Sequence, residues 1–221
     1  MKFTFNDAPQ GSDEWIAARR GRITGSRFKV TRERLKNGNL TAKATLYAKD
    51  IARERLGGKA ASVFVNGAMK FGVEQEPLAR QAYETMTGNI VQEVGFAASD
   101  CGLLGLSPDG LIGNDGVLEI KTIVGSENLF QSVVDGDISE YIDQINGYLL
   151  FLDRQWVDLC LWSPDLEDTG LGLVIRRITR NETDLAALKA DLDSFAMVVR
   201  KFESQLRRAA SSNIDQLKQA A

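Results

Sequence analysis

Histidine is absent from this sequence. That removes the commonest general base and the usual zinc ligand. Hydrolytic chemistry would have to rest on carboxylates, lysine, tyrosine, serine or a hard cation bound through oxygen. Cysteine is nearly absent too. Cys101 and Cys160 lie far apart among apolar residues, which reads as reduced, partly buried thiols in a cytoplasmic protein rather than a disulfide. No apolar run is long enough to span a bilayer. The opening stretch MKFTFNDAPQGSDEW lacks the apolar core of a signal peptide, so neither export nor membrane attachment is expected. Nor is there a surplus of positive charge. A net charge of −3 argues against coating nucleic acid by bulk charge, while leaving room for local basic surfaces. Carboxylates clustered to await divalent cations would lower the charge in the same way.

What is present is 43% hydrophobic over 221 residues, enough to bury one substantial core. No linker, repeat or low-complexity tract divides it. Residues 1–208 therefore read as a single domain, with 209–221 a small polar tail expected to fray. Ser12 caps a first helix that Gly21 ends. Thr24-Gly25-Ser26 opens a second short one through Phe28 and Val30, and Lys36 to Asn39 is a loop. A helix from Thr41 to Leu56 carries an apolar stripe including Leu46, Tyr47, Ile51 and Leu56, stopped by Gly57-Gly58. Another covers roughly Ala68 to Thr87, with Gly88 as its cap. Strand patterns follow at Ile90–Ala97, Leu103–Ile112 and Val117–Ile123, the last two flanking the hairpin turn Gly113-Asn114-Asp115-Gly116. Glu127–Val134 and Ile138–Leu152 read as helices, and Gln155–Trp162 and Leu171–Ile178 as strands. Asn181 caps a long final helix. The expected class is α+β, a central mixed sheet of about five strands flanked by helices.

Chemistry concentrates in Ser107-Pro108-Asp109-Gly110 and Gly116-Val117-Leu118-Glu119-Ile120-Lys121-Thr122. Glu119 and Lys121 are two apart on a strand, so both leave the same face. Charges beside a core are costly unless paired or bound to metal. The hairpin returns Asp109 alongside Glu119, where a divalent cation would relieve their repulsion while polarising a phosphate and a water. The competing reading is a Glu–Lys pair on a solvated face with Asp109 in an ordinary turn. The Pro-Asp step and the apolar residues bracketing Glu119 and Lys121 favour the first.

These residues resemble the PD-(D/E)xK nuclease superfamily. More narrowly, the chain is similar to the phage lambda exonuclease group, also called YqaJ-type viral recombinases or alkaline exonucleases. Four motifs carry the resemblance, in order, across roughly Glu14 to Phe202. They are Trp15-Ile16-Ala17-Ala18-Arg19-Arg20-Gly21-Arg22-Ile23-Thr24-Gly25-Ser26; Phe71-Gly72-Val73-Glu74-Gln75-Glu76; the Ser-Pro-Asp-Gly and Glu-Ile-Lys core; and Tyr141-Ile142-Asp143-Gln144-Ile145-Asn146-Gly147-Tyr148. The resemblance implies a restriction-endonuclease-like core and a two-metal 5′→3′ exonuclease on linear double-stranded DNA, with two Mg²⁺ ions per site, replaceable by Mn²⁺. It further implies a ring-shaped homotrimer working in phage-type recombination beside a single-strand-annealing protein, in the cytoplasm of a bacterium or phage-infected host.

Residue by residue, the resemblance makes Asp109 and Glu119 the metal carboxylates and the Ile120 carbonyl an adjacent oxygen ligand. Lys121 would orient or deprotonate the attacking water; positioning and charge stabilisation come first, because neighbouring carboxylates raise a lysine pKa. Glu76 would be the helix carboxylate reaching the metals. Glu74 competes, but the two lie about 200° apart around a helix, so only one should face the site, and Glu74 reads as solvated. Gln144 would hold the water or a phosphate; Asn146 stands where the family has a second Gln, so nothing is carried over there. Arg19, Ser26 and Ser107 would bind a 5′-terminal phosphate. Trp15 could stack on the terminal base pair or be a core tryptophan. Arg22, Arg27, Arg32 and Arg34 make the N-terminal region locally basic. The rivals are an endonuclease or resolvase of the same superfamily, and a DNA-end-binding module without catalysis.

Overall fold

The elements follow the local sequence chemistry closely where a cap or a hydrophobic period is strong. The computed structural model describes residues 2–59 and 67–220. In chain order these form β1 (Phe3–Phe5), α1 (Asp13–Arg19), β2 (Ile23–Thr24), α2 (Phe28–Arg32), α3 (Ala42–Arg55), α4 (Gly67–Thr87), β3 (Val91–Gln92), β4 (Ala97–Ser99), β5 (Leu104–Leu106), β6 (Gly110–Ile112), β7 (Gly116–Thr122), α5 (Ser126–Leu129), α6 (Ile142–Phe151), β8 (Trp156–Trp162), β9 (Leu173–Thr179) and α7 (Glu182–Ala220). The Ser12 side chain accepts from the Trp15 N–H and that of Thr41 from the Ala44 N–H, capping α1 and α3. Gly88, at φ +71, closes α4. Among the described residues no helix is long and apolar enough to cross a membrane.

The expected mixed sheet of five strands is present, and a second, smaller sheet accompanies it. The larger runs β3-β6-β7-β8-β9, antiparallel except for the parallel pair β7·β8. That pair is parallel because the chain between its strands is a long crossover carrying α5 and α6. The smaller sheet, β1-β4-β5-β2, corrects the expected strands at Ile90–Ala97 and Leu103–Ile112. Each splits into two short strands assigned to different sheets. Pro108 cannot donate to a ladder, so the chain leaves β5 and re-enters pairing only at Gly110. The short β1 and β2 were beyond the reach of periodicity.

The larger sheet divides the core. Val117, Val157, Leu159 and Leu161 face a large cluster completed by α6 and α7 residues such as Ile145, Tyr148, Leu188 and Phe195. Leu118, Ile120, Cys160 and Trp162 face a smaller cluster under α4, with Ala79 and Tyr83. Burying each of the Val, Leu, Ile and Phe side chains among these contributes about 1.5–3 kcal/mol. In α3 the buried residues are Ala44, Ala48, Ile51 and Ala52. Leu46 and Leu56, assigned to that stripe, are exposed, because small alanines let α3 pack closely against α7 and set the buried face. The helix expected from Ile138 begins only at Ile142. The segment after Arg208 is helical through Ala220, since no Gly or Pro interrupts it; Ala221 lies outside the described residues.

Candidate active site

β7 carries the centre of the site because its pairing partner on one side runs out. Gly110 pairs with Leu118, and continuing that antiparallel register would set Pro108 opposite Ile120. Pro108 has no N–H to give. The Asp109 side chain takes over: its Oδ2 accepts the Ile120 N–H at 2.6 Å. A strand residue's carbonyl points to the same edge as its N–H. The Ile120 carbonyl therefore faces Asp109 across a gap where no main-chain donor stands.

Glu119 is 2% exposed and fully engaged. Its Oε1 accepts from Lys121 Nζ at 2.6 Å and from Gln144 Nε2 at 2.6 Å; its Oε2 accepts from the Tyr148 hydroxyl at 2.6 Å. Gln144 also donates to Tyr148 Oη at 2.6 Å. Both amide protons of Gln144 are thus spent, leaving its carbonyl oxygen to face water or substrate. Glu76, from α4, is half-buried and paired with Arg80 at 2.7 Å; Arg80 also pairs with Glu93 at 2.7 Å. Glu74 is exposed on the same helix.

The electrostatics describe a surplus of negative charge. Burial, then the charges of Glu119 and Glu76, hold the Asp109 carboxyl well above the usual carboxylate range, and Lys121 and the Ile120 N–H only partly offset them. Glu76 is likewise raised, chiefly by burial, against the pull of Arg80. For Lys121 burial alone would lower the pKa, but Glu119 and Asp109 outweigh it and raise it. Lys121 is accordingly a firm cation here, suited to orienting an anion rather than to taking a proton.

Oxygen donors only, a main-chain carbonyl at an open strand edge and mutually repelling carboxylates suit a hard divalent cation. Among the described residues no three acidic side chains form a ready-made metal cage. The reason is visible in the pairing: Glu76 is turned to Arg80, and Glu119 to Lys121, Gln144 and Tyr148.

The N-terminal motif reaches this site from the other side. Trp15 Nε1 donates to Ser107 Oγ at 3.0 Å, and the Arg19 guanidinium lies 4.1 Å from the Trp15 ring centroid. Trp15 is thus neither a free stacking surface nor a fully buried core residue. Arg19 has no ion pair among the described residues; burial lowers its pKa, against a smaller upward pull from Tyr47 and Tyr148. A half-buried guanidinium with aromatic walls and no carboxylate is open to an anion. Gly147 lets α6 approach Phe28, since a Cβ there would meet its ring at 2.5 Å. That packing seats the 3₁₀ turn Gly25–Arg27 beside α6, with Gly25 next to Gln144. Ser26 is exposed on this turn. Of the basic residues, Arg32 is committed to Asp143 and Asp191, and Arg34 to main-chain carbonyls; Arg27 remains exposed beside Tyr47.

Two participants had no assigned role from sequence. Tyr148 is fully buried and binds Glu119, Gln144 and the Ser107 carbonyl. Arg80 is the counter-ion of Glu76. Each lies four residues beyond a named candidate on the same helix face, a spacing that could have pointed to both.

Residues 14–154, the span holding every one of these groups, match the model of the YqaJ-like viral recombinase domain. The structure is similar to that of an alkaline exonuclease (LHK-Exo) from Laribacter hongkongensis, with TM-score 0.78 and 31% identity over 90% of this chain and 99% of that one. The same exonuclease in complex with dAMP matches at 32% identity and TM-score 0.78, with the same coverage. A phage related exonuclease from Haemophilus somnus 129PT, at 16% identity and TM-score 0.67 over 86% of this chain and 96% of that one, shares the fold. No curated protein matches the sequence significantly. With its motifs gathered at one strand edge and nine-tenths of its length paralleled by an alkaline exonuclease, the chain belongs to the YqaJ-like viral recombinase family.

Proposed function

We propose that this nuclease of the phage recombinase family is a Mg²⁺-dependent 5′→3′ exonuclease on linear double-stranded DNA. The observation that carries the reading is the meeting of two chemistries at Ser107. Its neighbours Asp109 and Glu119 form the carboxylate centre, and its own hydroxyl accepts from Trp15, whose ring carries Arg19, without an ion pair among the described residues.

Asp109, Glu119 and the Ile120 carbonyl would hold two Mg²⁺ or Mn²⁺ ions, with Glu76 joining from α4. Bound there, such ions supply a nucleophilic hydroxide and Lewis-acid stabilisation of the phosphate. Lys121 holds its proton and places positive charge where the scissile phosphate lies. The Gln144 carbonyl accepts a hydrogen bond from the attacking water. Arg19 grips the 5′-terminal phosphate by paired N–H donors, with Ser26 and Ser107 adding hydroxyls. The dAMP bound by the Laribacter relative is a mononucleotide, the class of product that such a reaction releases.

The partners would be duplex ends and a single-strand-annealing protein, the assembly a homotrimer and the compartment cytoplasmic. The test is digestion of 5′-phosphorylated linear duplex with Mg²⁺ beside closed circular DNA. Linear DNA is expected to be consumed and circles spared; equal cleavage would sink the exonuclease reading in favour of an endonuclease. Arg19→Ala is expected to abolish the preference for 5′-phosphate over 5′-hydroxyl ends.

A further inference from the structure

Tyr148 touches three pieces of the site at once: Glu119, Gln144 and the Ser107 main chain. Its ring is fully buried in the large core, yet its hydroxyl emerges among polar groups. Glu119 Oε2 lies at 2.6 Å, Gln144 Nε2 at 2.6 Å and the Ser107 carbonyl at 3.1 Å. A phenol has one proton to donate and can accept at the same oxygen. Gln144 supplies the donor. Glu119 and the Ser107 carbonyl are two acceptors competing for the single proton, and the closer, charged one takes it.

We propose that Tyr148 is a positioning residue that aims the Glu119 carboxylate at the metal site and ties it to the link between β5 and β6 that bears Ser107. The inference rests on the metal-centre reading above. Glu119 is held from three directions, but the other two holders have further business at the site. Lys121 and Gln144 both donate to Oε1 and both face substrate chemistry. Among the described residues Tyr148 alone holds Oε2, and its own ring is locked by the core behind it. When Glu119 binds a cation, the hydroxyl proton has the Ser107 carbonyl within reach, so no buried donor is orphaned. The same residue therefore orients the carboxylate before the cation arrives, and is left satisfied if the cation takes Oε2 from it. Partners of this kind behind a ligand influence metal affinity or activity roughly 10- to 100-fold.

The test is calorimetric titration of Mn²⁺ into wild type, Asp109→Asn and Tyr148→Phe, without DNA. Wild type should bind and D109N should not, which checks the metal centre itself. Y148F keeps the ring and should bind Mn²⁺ roughly 10- to 100-fold more weakly, with kcat lowered and KM for DNA little changed. Unaltered Mn²⁺ affinity in Y148F, with wild-type binding intact, overturns the proposal even if the variant melts earlier. Absence of Mn²⁺ binding by wild type overturns the metal-centre reading and this inference with it. Should Y148F not fold, the ¹³Cζ resonance of Tyr148 in labelled wild type is followed during Mg²⁺ titration. It should move with saturation, and a resonance that stays fixed while Mg²⁺ binds overturns the proposal.

Discussion

Glu119 on β7 and Asp158 on β8 are neighbours in one sheet, each 2% exposed, and the protein treats them in opposite ways. Asp158 is balanced. Arg177 binds both of its oxygens at 2.7 Å, Tyr83 donates to it at 2.7 Å, and Arg177 is itself stacked 3.8 Å from the Trp156 ring centroid. One carboxylate meets one guanidinium, and the cluster pins α4 to the sheet. Around Glu119 the balance fails. Asp109, Glu119 and Glu76 crowd one edge, Lys121 answers part of the charge, and Arg80 divides itself between Glu76 and Glu93. A paired buried charge ties elements together; an uncompensated group of them marks a candidate functional site.

The comparison breaks most sharply at Asp109. Asp109→Asn should cost about 3–4 kcal/mol of transition-state stabilisation, roughly 10²–10³-fold in rate. The metal-free variant should nevertheless melt higher than wild type, because a repelling charge is gone. A fall in melting temperature would mean the acidic edge is already balanced. Asp158→Ala should do the reverse. Its unfolding free energy should drop by about 2–3 kcal/mol, below the full cost of breaking a buried pair because Arg177 can rehydrate. Activity per folded molecule should change far less than in D109N. Denaturant melts and single-turnover rates on the two variants separate the cases.

Acidity should show the same contrast on a smaller scale. The folded-state pKa of Asp109 is raised, so the native protein binds its proton more tightly than the unfolded chain does. Stability of the metal-free protein should therefore fall as pH rises from about 4 through the raised value. Mn²⁺ or the D109N substitution should flatten that slope; a wild-type slope identical to that of D109N would contradict the assignment. The smallest effect belongs to the rim. Trp15→Phe removes the hydrogen bond to Ser107, and discrimination between 5′-phosphate and 5′-hydroxyl ends should weaken by about 0.5–1.5 kcal/mol, read as the ratio of initial rates. Unchanged discrimination would mean that Trp15 only packs.

Much of this was legible in the residues because it is local. Ser12, Thr41 and Gly88 mark helix ends by capping chemistry, and the two-residue period of Gly116–Thr122 places Glu119 with Lys121 and sets Leu118 and Ile120 against them. The Pro108-Asp109 step was legible as a motif, and its physical cause is equally local: proline cannot pair with Ile120, so aspartate does. The strands at Ile90–Ala97 and Leu103–Ile112 were misread as continuous because a run of apolar residues does not say which sheet it joins. The apolar residues of α3 do not say by themselves which of them face inward: Ala44, Ala48, Ile51 and Ala52 are buried and Tyr47 stacks on Phe195 of α7, while Leu46 and Leu56 are exposed.

The sequence by itself determined the chemical inventory: oxygen donors without histidine, a carboxylate pair on one hairpin and an N-terminal arginine. Tertiary structure decided the rest, since its causes are distant in the chain. It sent Trp15 to Ser107, set Arg19 beside aromatic rings, gave Glu76 to Arg80 and closed Tyr148 onto Glu119. Charge surplus is a property of a volume, and only folding brings these carboxylates into one.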